Sequence, residues 1–503
     1  MPPRQRKRRG PNSNSKNGCI TCKFRHTKCG EEKPECLQCT TTNRKCGGYE
    51  DLSQQKLRQR VAKMHAAPAV TSDSRLVLLP CTREERQNVH HFCTYTVHAL
   101  SGFFASELWQ YYLPQISQTD VAIRHAITAV GAAHRRSLAS SQLMTSPNFE
   151  VQQYNQAIRS LLGKASMNKD QVLVVCALFI CLEFLRLNMP QALNHIEAGV
   201  NILSGHGQQS RESHLPEAVY QELSGFFSRM NLELSFWGRR SLSYADQINE
   251  DDLERFGFCN IMDARMKLNV IMIQTMRFVQ FLGEGLPPRF GGQNQEPFKT
   301  QYNLIFQYRD WWIRFRKLTE RLARSQDYMP NLRSILVTQV HYQTLFTWAQ
   351  SINSPDEMGN DKFNTDFELV ISLSEQVNLN DPNSKDHQPA FVLESGIAPA
   401  LYLVARKCRH PVLRRRAMAA LGRCAGQEGG WNTKQLCAIA QRNMELEEAA
   451  LVHLPMEHRI PEDRDRIYGT FVVGGLESPV EVIFRWRDAE SNAPKDYVEF
   501  INW

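Results

Sequence analysis

The sequence predicts a mostly α protein: a small two-zinc cysteine-cluster domain at the N-terminus, a linker, and a large all-helical domain that ends in a β-hairpin. Three observations predict it. Six of the 14 cysteines fall within residues 19–46 at regular intervals. Across residues 76–459 apolar side chains recur at the 3.6-residue period between turn-rich loops. Only the tail changes period, where residues 469–473 and 480–486 are β-branched and aromatic runs around the turn 474–479. The expected division is a basic tail at 1–17, a cluster domain at 18–49, a linker at 50–75 and a helical domain at 76–503.

The tail, MPPRQRKRRGPNSNSKN, mixes Pro, Asn, Ser and Gly with Arg4, Arg6, Lys7, Arg8 and Arg9 and has no apolar periodicity, so it is expected to be disordered when free. Its basic run reads as a nuclear import signal or as an arm on phosphates, and places the protein in the nucleus.

The cluster runs C-x2-C-x6-C, six residues, then C-x2-C-x6-C, so Cys19, Cys22 and Cys29 recur 17 positions later as Cys36, Cys39 and Cys46. A C-x2-C pair brings two thiolates to one metal from a single turn, and zinc takes four such ligands tetrahedrally. Two zincs need eight coordination positions. Six sulfurs supply them if two of the six bridge both ions. No position is then left open, so the site is structural and no catalytic residue is expected there. A disulfide framework would need an oxidising compartment, and no apolar signal segment precedes Cys19.

These residues, with Gly18 before the first cysteine and Pro34 in the connecting loop, resemble the fungal binuclear zinc cluster transcription factors over roughly residues 18–49. The resemblance implies that Cys19 and Cys36 bridge, that Cys22 and Cys29 complete one zinc, and that Cys39 and Cys46 complete the other. It also implies a base-reading helix from the second cysteine, here Lys23, Phe24, Arg25, His26, Thr27 and Lys28, on CGG-containing double-stranded DNA. Arg and Lys suit guanine O6 and N7. Arg44 and Lys45, in the second repeat, are expected to hold phosphates. The chain departs from the family at His26, usually Lys or Arg, and at Gly30, commonly Asp.

Charge agrees with such a partner. Residues 1–63 hold 16 Lys or Arg against five Asp or Glu, a balance of +11, whereas the remaining 440 residues hold 44 against 47, a balance of −3. All the basicity lies in the first eighth of the chain, as a polyanion-binding segment requires.

In the linker, a short helix at residues 54–64 would align Leu57, Val61 and Met64, which is equally the start of a dimer seam or an ordinary linker helix. A homodimer therefore stays open. The phrases LSGFF…LW, VAIRHAITAVGAAH, YNQAI, ALFICLEFL and HIEAGVNIL, spread over residues 100–203, resemble the fungal-specific transcription factor domain. That resemblance implies a helical regulatory domain receiving a small-molecule effector or a coregulator protein. Apolar faces are expected at Tyr154, Ile158, Leu161 and Leu162, and at Leu193, Ile196, Val200 and Leu203. The run 172–185 contains Glu183 and is shorter than a membrane span, so a buried core helix is expected and no membrane partner.

Other residue groups read blandly. His90, His91, His98, His125 and His134 lack metal-site spacing and read as structural. Cys176 and Cys181 read as buried free thiols. Arg414, Arg415 and Arg416 read as a solvated face, Trp311, Trp312 and Phe315 as core, and 283–297, 353–360, 380–389 and 425–430 as surface loops. A nucleophile elbow, P-loop, Rossmann glycines and H-E-x-x-H are all missing, so no enzyme is expected. Two rivals to a DNA-binding regulator fit the sequence less well. A zinc-stapled protein-interaction module of RING or LIM type uses longer intervals and mixed Cys and His. A chromatin-recruited enzyme would need a pocket that no motif marks.

Overall fold

The computed structural model describes residues 18–19, 21–22, 27–42, 44, 46, 82–104, 106–138, 148–163, 168–205, 215–239, 257–282, 296–354, 356–379, 391–487 and 493–503. The chain divides into two compact units, Met1–Pro80 and Cys81–Trp503. The basic tail, the helix expected at 54–64, and the loop stretches 283–295 and 380–389 lie outside the described residues.

Among the described residues of the first unit, a short helix, α1 (Leu37–Thr40), follows Cys36. The second unit opens with α2 (Arg83–His91), α3 (Val121–Leu138), α4 (Phe149–Leu162), α5 (Lys169–Leu185), α6 (Met189–Gly205) and α7 (Glu217–Phe236). Then come α8 (Ile261–Leu282), α9 (Glu296–Leu322), α10 (Tyr328–Ser351), α11 (Asn364–Leu379), α12 (Ala398–Lys407), α13 (Pro411–Leu421) and α14 (Thr433–Glu447).

Local chemistry sets the helix starts. Thr82 and Glu85 form a reciprocal capping box on α2, with Glu85 N donating to Thr82 Oγ1 at 3.2 Å and Thr82 N to Glu85 Oε2 at 2.7 Å. Asn168 caps α5 by accepting from Asp170 N at 2.9 Å. Helix α5 is the apolar run of the sequence, and nearly all its side chains are buried, Glu183 among them. It is the centre of a core with α3, α6 and α7. No helix among the described residues is long and apolar enough to cross a membrane. Close approach of α3 to α2 depends on Gly131, where a Cβ would come within 2.3 Å of Asn88 O.

A second core gathers α8 to α14. In it Trp311 stacks on Phe315 and Tyr342 at ring separations of 4.6 and 5.3 Å and donates through Nε1 to Ala264 O at 2.8 Å. The expected apolar face of α6 is buried, as are Cys176 and Cys181. On α4, Tyr154, Ile158 and Leu161 pack inward, but Leu162 is 70% exposed. His134 is hydrogen-bonded to Thr96 Oγ1 at 3.0 Å and His125 to Gln153 Oε1 at 2.7 Å, which gives both a structural role.

The expected C-terminal hairpin is present as β3 (Gly469–Val473) and β4 (Val480–Arg487), and a third antiparallel strand, β5 (Pro494–Ile501), extends it. Other expectations are corrected: a separate two-residue pair, β1 (Gln427–Glu428) and β2 (Trp431–Asn432), begins in the loop expected at 425–430. The third strand, PKDYVEFI, is rich in charge, and its partner is named only by register, Val480 opposite Ile501. The loop expected at 353–360 runs into a 3-10 helix, Glu357–Phe363.

The largest departure is the arginine run on α13. Arg414 is fully buried, donating to Ala405 O at 2.8 Å and to Glu447 Oε2 at 2.5 Å. Arg415 Nη1 reaches Glu448 Oε1 at 3.2 Å and Arg416 Nη2 reaches Glu375 Oε2 at 2.6 Å. A charge run reads as solvated when its partners are far away in sequence. Here α14 and α11 bring them back in space.

Candidate metal centre

The 17-residue repeat of the sequence returns as a repeat of backbone geometry. Thr27 N donates to Cys22 O at 3.1 Å, and Arg44 N donates to Cys39 O at 3.0 Å, the same bond one repeat later. Each closes the turn that follows a C-x2-C pair. In the second copy Cys39 N also donates to Cys36 O at 2.9 Å, and Glu32 Oε2 accepts from Leu37 N at 3.0 Å at the start of α1. Glu32 stands five residues before Leu37, outside the three-residue spacing of a capping box, so the sequence carries no signal for this contact. Its carboxylate sits against Gly30, where a Cβ would come within 2.4 Å of it.

The two turns face their sulfurs inward. Cys19 Sγ lies 3.5 Å from Cys36 Sγ and 3.8 Å from Cys39 Sγ, while Cys22 Sγ lies 3.7 Å from Cys36 Sγ and 3.9 Å from Cys39 Sγ. These four thiols lie within 4.8 Å of one another. Cys29 joins them through Cys19 N, which donates to its Sγ at 3.3 Å, and Cys46 packs against the group from a half-buried position. All six are free thiols.

The donor set fits metal. Burial pushes the thiols of Cys19, Cys36 and Cys39 up, Cys36 to about 12, although N–H groups of Cys22 and Cys39 pull the other way at Cys19 and Cys36. Sulfurs this close and this dry would ionise only beside a strong cation, and zinc is among the cations that thiolates hold well. Apart from these cysteines the unit buries no apolar side chain among its described residues. Metal bonds therefore take the place of a core.

Of the other site residues read from sequence, Lys28 and Arg44 are exposed on this unit. Lys23, Arg25, His26, Lys45 and the run Arg4, Arg6, Lys7, Arg8 and Arg9 lie outside the described residues.

Comparison with known proteins bears directly on this geometry. Residues 17–56 match the model of the fungal Zn(2)-Cys(6) binuclear cluster domain, and residues 88–269 match that of the fungal specific transcription factor domain. The chain carries a fungal Zn(2)-Cys(6) domain. This Zn(2)-Cys(6) domain binds two zinc ions and is followed by the helical fungal specific transcription factor domain.

Among relatives, the aspercryptin biosynthesis cluster-specific transcription regulator atnN of Emericella nidulans is 33% identical over 251 residues, 44% of this chain and 40% of the relative. Transcription regulator lscL of Purpureocillium lilacinum is 24% identical over 37% of this chain and 48% of its own length. The transcriptional regulatory protein moc3 of Schizosaccharomyces pombe is 54% identical over 41 residues, 8% of each. The chain thus spans less than half the length of these curated relatives. No solved structure matches it.

Proposed function

We propose that the protein is a DNA-binding regulator of RNA polymerase II transcription that acts in the nucleus and reads CGG-like sites in the major groove through the Zn(2)-Cys(6) domain. Cys19 and Cys36 bridge the two zincs, Cys22 and Cys29 complete one, and Cys39 and Cys46 the other. The close Cys19–Cys36 sulfur pair, 3.5 Å apart, supports this assignment. The domain division at 1–17, 18–49, 50–75 and 76–503 belongs to the same proposal, with the helical domain receiving an effector or a coregulator protein.

The observation that carries the reading is the chemical difference between the two equivalent turns. The second presents Thr40, Thr41 and Thr42, and their hydroxyls are committed to carbonyls of their own turn, Thr41 to Leu37 O and Thr42 to Gln38 O, each at 2.7 Å. The first carries Lys23, Phe24 and Arg25 at those positions, with His26 opposite Asn43 and Lys28 opposite Lys45. At these three positions the first copy offers two long charged donors for base edges where the second has threonines, while Arg44 and Lys45 of the second are left for phosphates. Fluorescence anisotropy of the zinc-loaded protein on a CGG duplex and on a scrambled one tests it. Salt-sensitive binding with preference for CGG is expected. Equal affinity for the two duplexes, or none for either, refutes it.

A further inference from the structure

A cleft of about 580 Å³ opens in the helical unit where the ends of α7, α8 and α10 meet α12 and β3, and that space is within the range of small-molecule sites. The DNA-reading function does not call on it. Six aromatic side chains reach it from different elements: Phe236 of α7, Trp348 of α10, Tyr402 of α12, Trp431 of β2, and Tyr468 and Phe471 at β3. All but Tyr402 are only half-buried, so the fold leaves ring surface uncovered. Gly469 makes room for the last of them, since a Cβ there would come within 2.7 Å of the Phe471 ring.

Charge gathers on the α12 side. Arg406 and Lys407 line the cleft there and Arg487 lines it from the end of β4, against two acids, Asp356 and Glu357. Both acids are committed within the protein. Asp356 Oδ1 accepts from Gly359 N at 3.1 Å as the cap of the 3-10 helix, and Glu357 is shared by Lys407 Nζ and Arg409 Nη1, each at 2.8 Å. Burial would raise the Glu357 carboxyl, but Lys407 and Arg409 hold it below its usual range.

Arg406 is a cation left over. It is half-buried, its guanidinium lies 5.4 Å from the centre of the Tyr402 ring, and among the described residues it has no carboxylate partner. Burial lowers the neighbouring Lys407 ammonium although Glu357 opposes it, and the charges of Arg409 and Arg406 lower it further. The cleft therefore carries uncompensated positive charge beside its aromatic rings.

We infer that this cleft binds a flat, ring-bearing small molecule that carries a carboxylate or comparably acidic oxygen, with its rings on the aromatic walls and its acidic group beside Arg406. Ring contacts contribute beyond the apolar area they cover, because aromatic pairs have favoured offset and edge-on arrangements. A guanidinium with no carboxylate of its own gains a charge-assisted bond from an acid and a weaker one from the matching alcohol. The inference rests on the helical domain as the receiver of an effector.

The test uses the full zinc-loaded chain and pyrenebutyrate, whose emission responds to the polarity around its rings, with pyrenebutanol as its neutral analogue and decanoate as an acid without rings. Pyrenebutyrate should bind saturably, and pyrenebutanol and decanoate should each be at least about tenfold weaker. Arg406→Met should bring the acid and the alcohol to similar affinity without weakening the alcohol. Val279→Trp, which adds bulk at the α8 wall of the cleft, should weaken pyrenebutyrate by about tenfold or more. Equal binding of pyrenebutyrate and pyrenebutanol by the wild type overturns the inference, as does decanoate that matches pyrenebutyrate or an affinity that Val279→Trp leaves unchanged. The two wild-type comparisons hold even where a variant fails to fold. DNA anisotropy on the same preparations separates the two readings: no saturable pyrenebutyrate binding with intact CGG preference rejects the cleft alone, and pyrenebutyrate binding without CGG preference rejects the regulator alone.

Discussion

Replacing Glu447 by Gln isolates the charge at the centre of the buried network in the helical unit. Its carboxylate accepts from Arg409 Nη2 at 2.9 Å, Arg414 Nη2 at 2.5 Å and Ile467 N at 2.7 Å, and all three side chains are fully buried. Burial alone would raise this carboxyl, but Arg409 and Arg414 outweigh it and hold it down at about 2. Against an ordinary value near 4.5, that depression corresponds to about 3 kcal/mol of native-state stability at neutral pH. An independent route agrees, since truncating one partner of a buried ion pair costs about 3–5 kcal/mol.

Gln keeps the shape and an acceptor for Ile467 N. Arg409 retains Glu357 at 2.8 Å, but Arg414 is left with Glu448 at 3.9 Å. In a unit of this size about 1 kcal/mol moves Tm by roughly 1 °C, so Glu447→Gln should lower Tm at pH 7 by roughly 3–5 °C. A depressed carboxyl stabilises the fold above its unfolded pKa and loses that contribution as pH falls through the folded value. The gap between wild type and variant should therefore be full above about pH 5 and close progressively toward about pH 2. Scanning calorimetry at pH 7 and pH 3 reads both. Matching Tm values at pH 7, or a gap that is the same at pH 3, would refute the reasoning.

The cluster domain gives three more expectations. Cys36→Ser should leave fewer than two zincs on the chain by native mass spectrometry, whereas Cys46→Ser, at the half-buried edge, should retain at least one; two zincs on Cys36→Ser would remove the bridging role. His26→Lys should bind a CGG duplex more tightly than wild type, by on the order of 1–3 kcal/mol for a restored base contact. Wild-type binding should strengthen as pH falls from about 7.5 to about 6, because a protonated imidazole is favoured beside phosphates, and anisotropy at the two pH values sees both effects. Lys45→Ala should weaken all duplexes alike and lower the salt slope by about one, while Arg25→Ala should relax sequence preference; a reversed pattern would exchange the two roles.

The metal centre was legible in sequence because its determinants are local. Two cysteines in one turn and a repeat of 17 residues dictate which sulfurs can meet, and the repeated hydrogen bonds at Cys22 and Cys39 need nothing from the rest of the chain. Helix α5 was legible for the same reason, its apolar run being continuous. The deficit of acidic residues in 1–63 and the helical period of the larger unit also depend only on composition and spacing.

Tertiary structure decided the rest, wherever the outcome depends on what a segment meets. Arg414 on an isolated α13 would keep its charge in water; Glu447, 33 residues later, makes burial tolerable because a paired and hydrogen-bonded charge escapes most of the desolvation cost. Strand β5 carries too much charge to announce itself and is selected by the open edge of β4. Leu162 repeats the apolar spacing of α4 yet finds no neighbour to cover it. The cleft walled by Trp348 and Tyr402 exists only once α10 and α12 have packed. Spacing along the chain sets local turns and helical faces; which charges are buried, and where space is left between helices, is set by contacts that no spacing encodes.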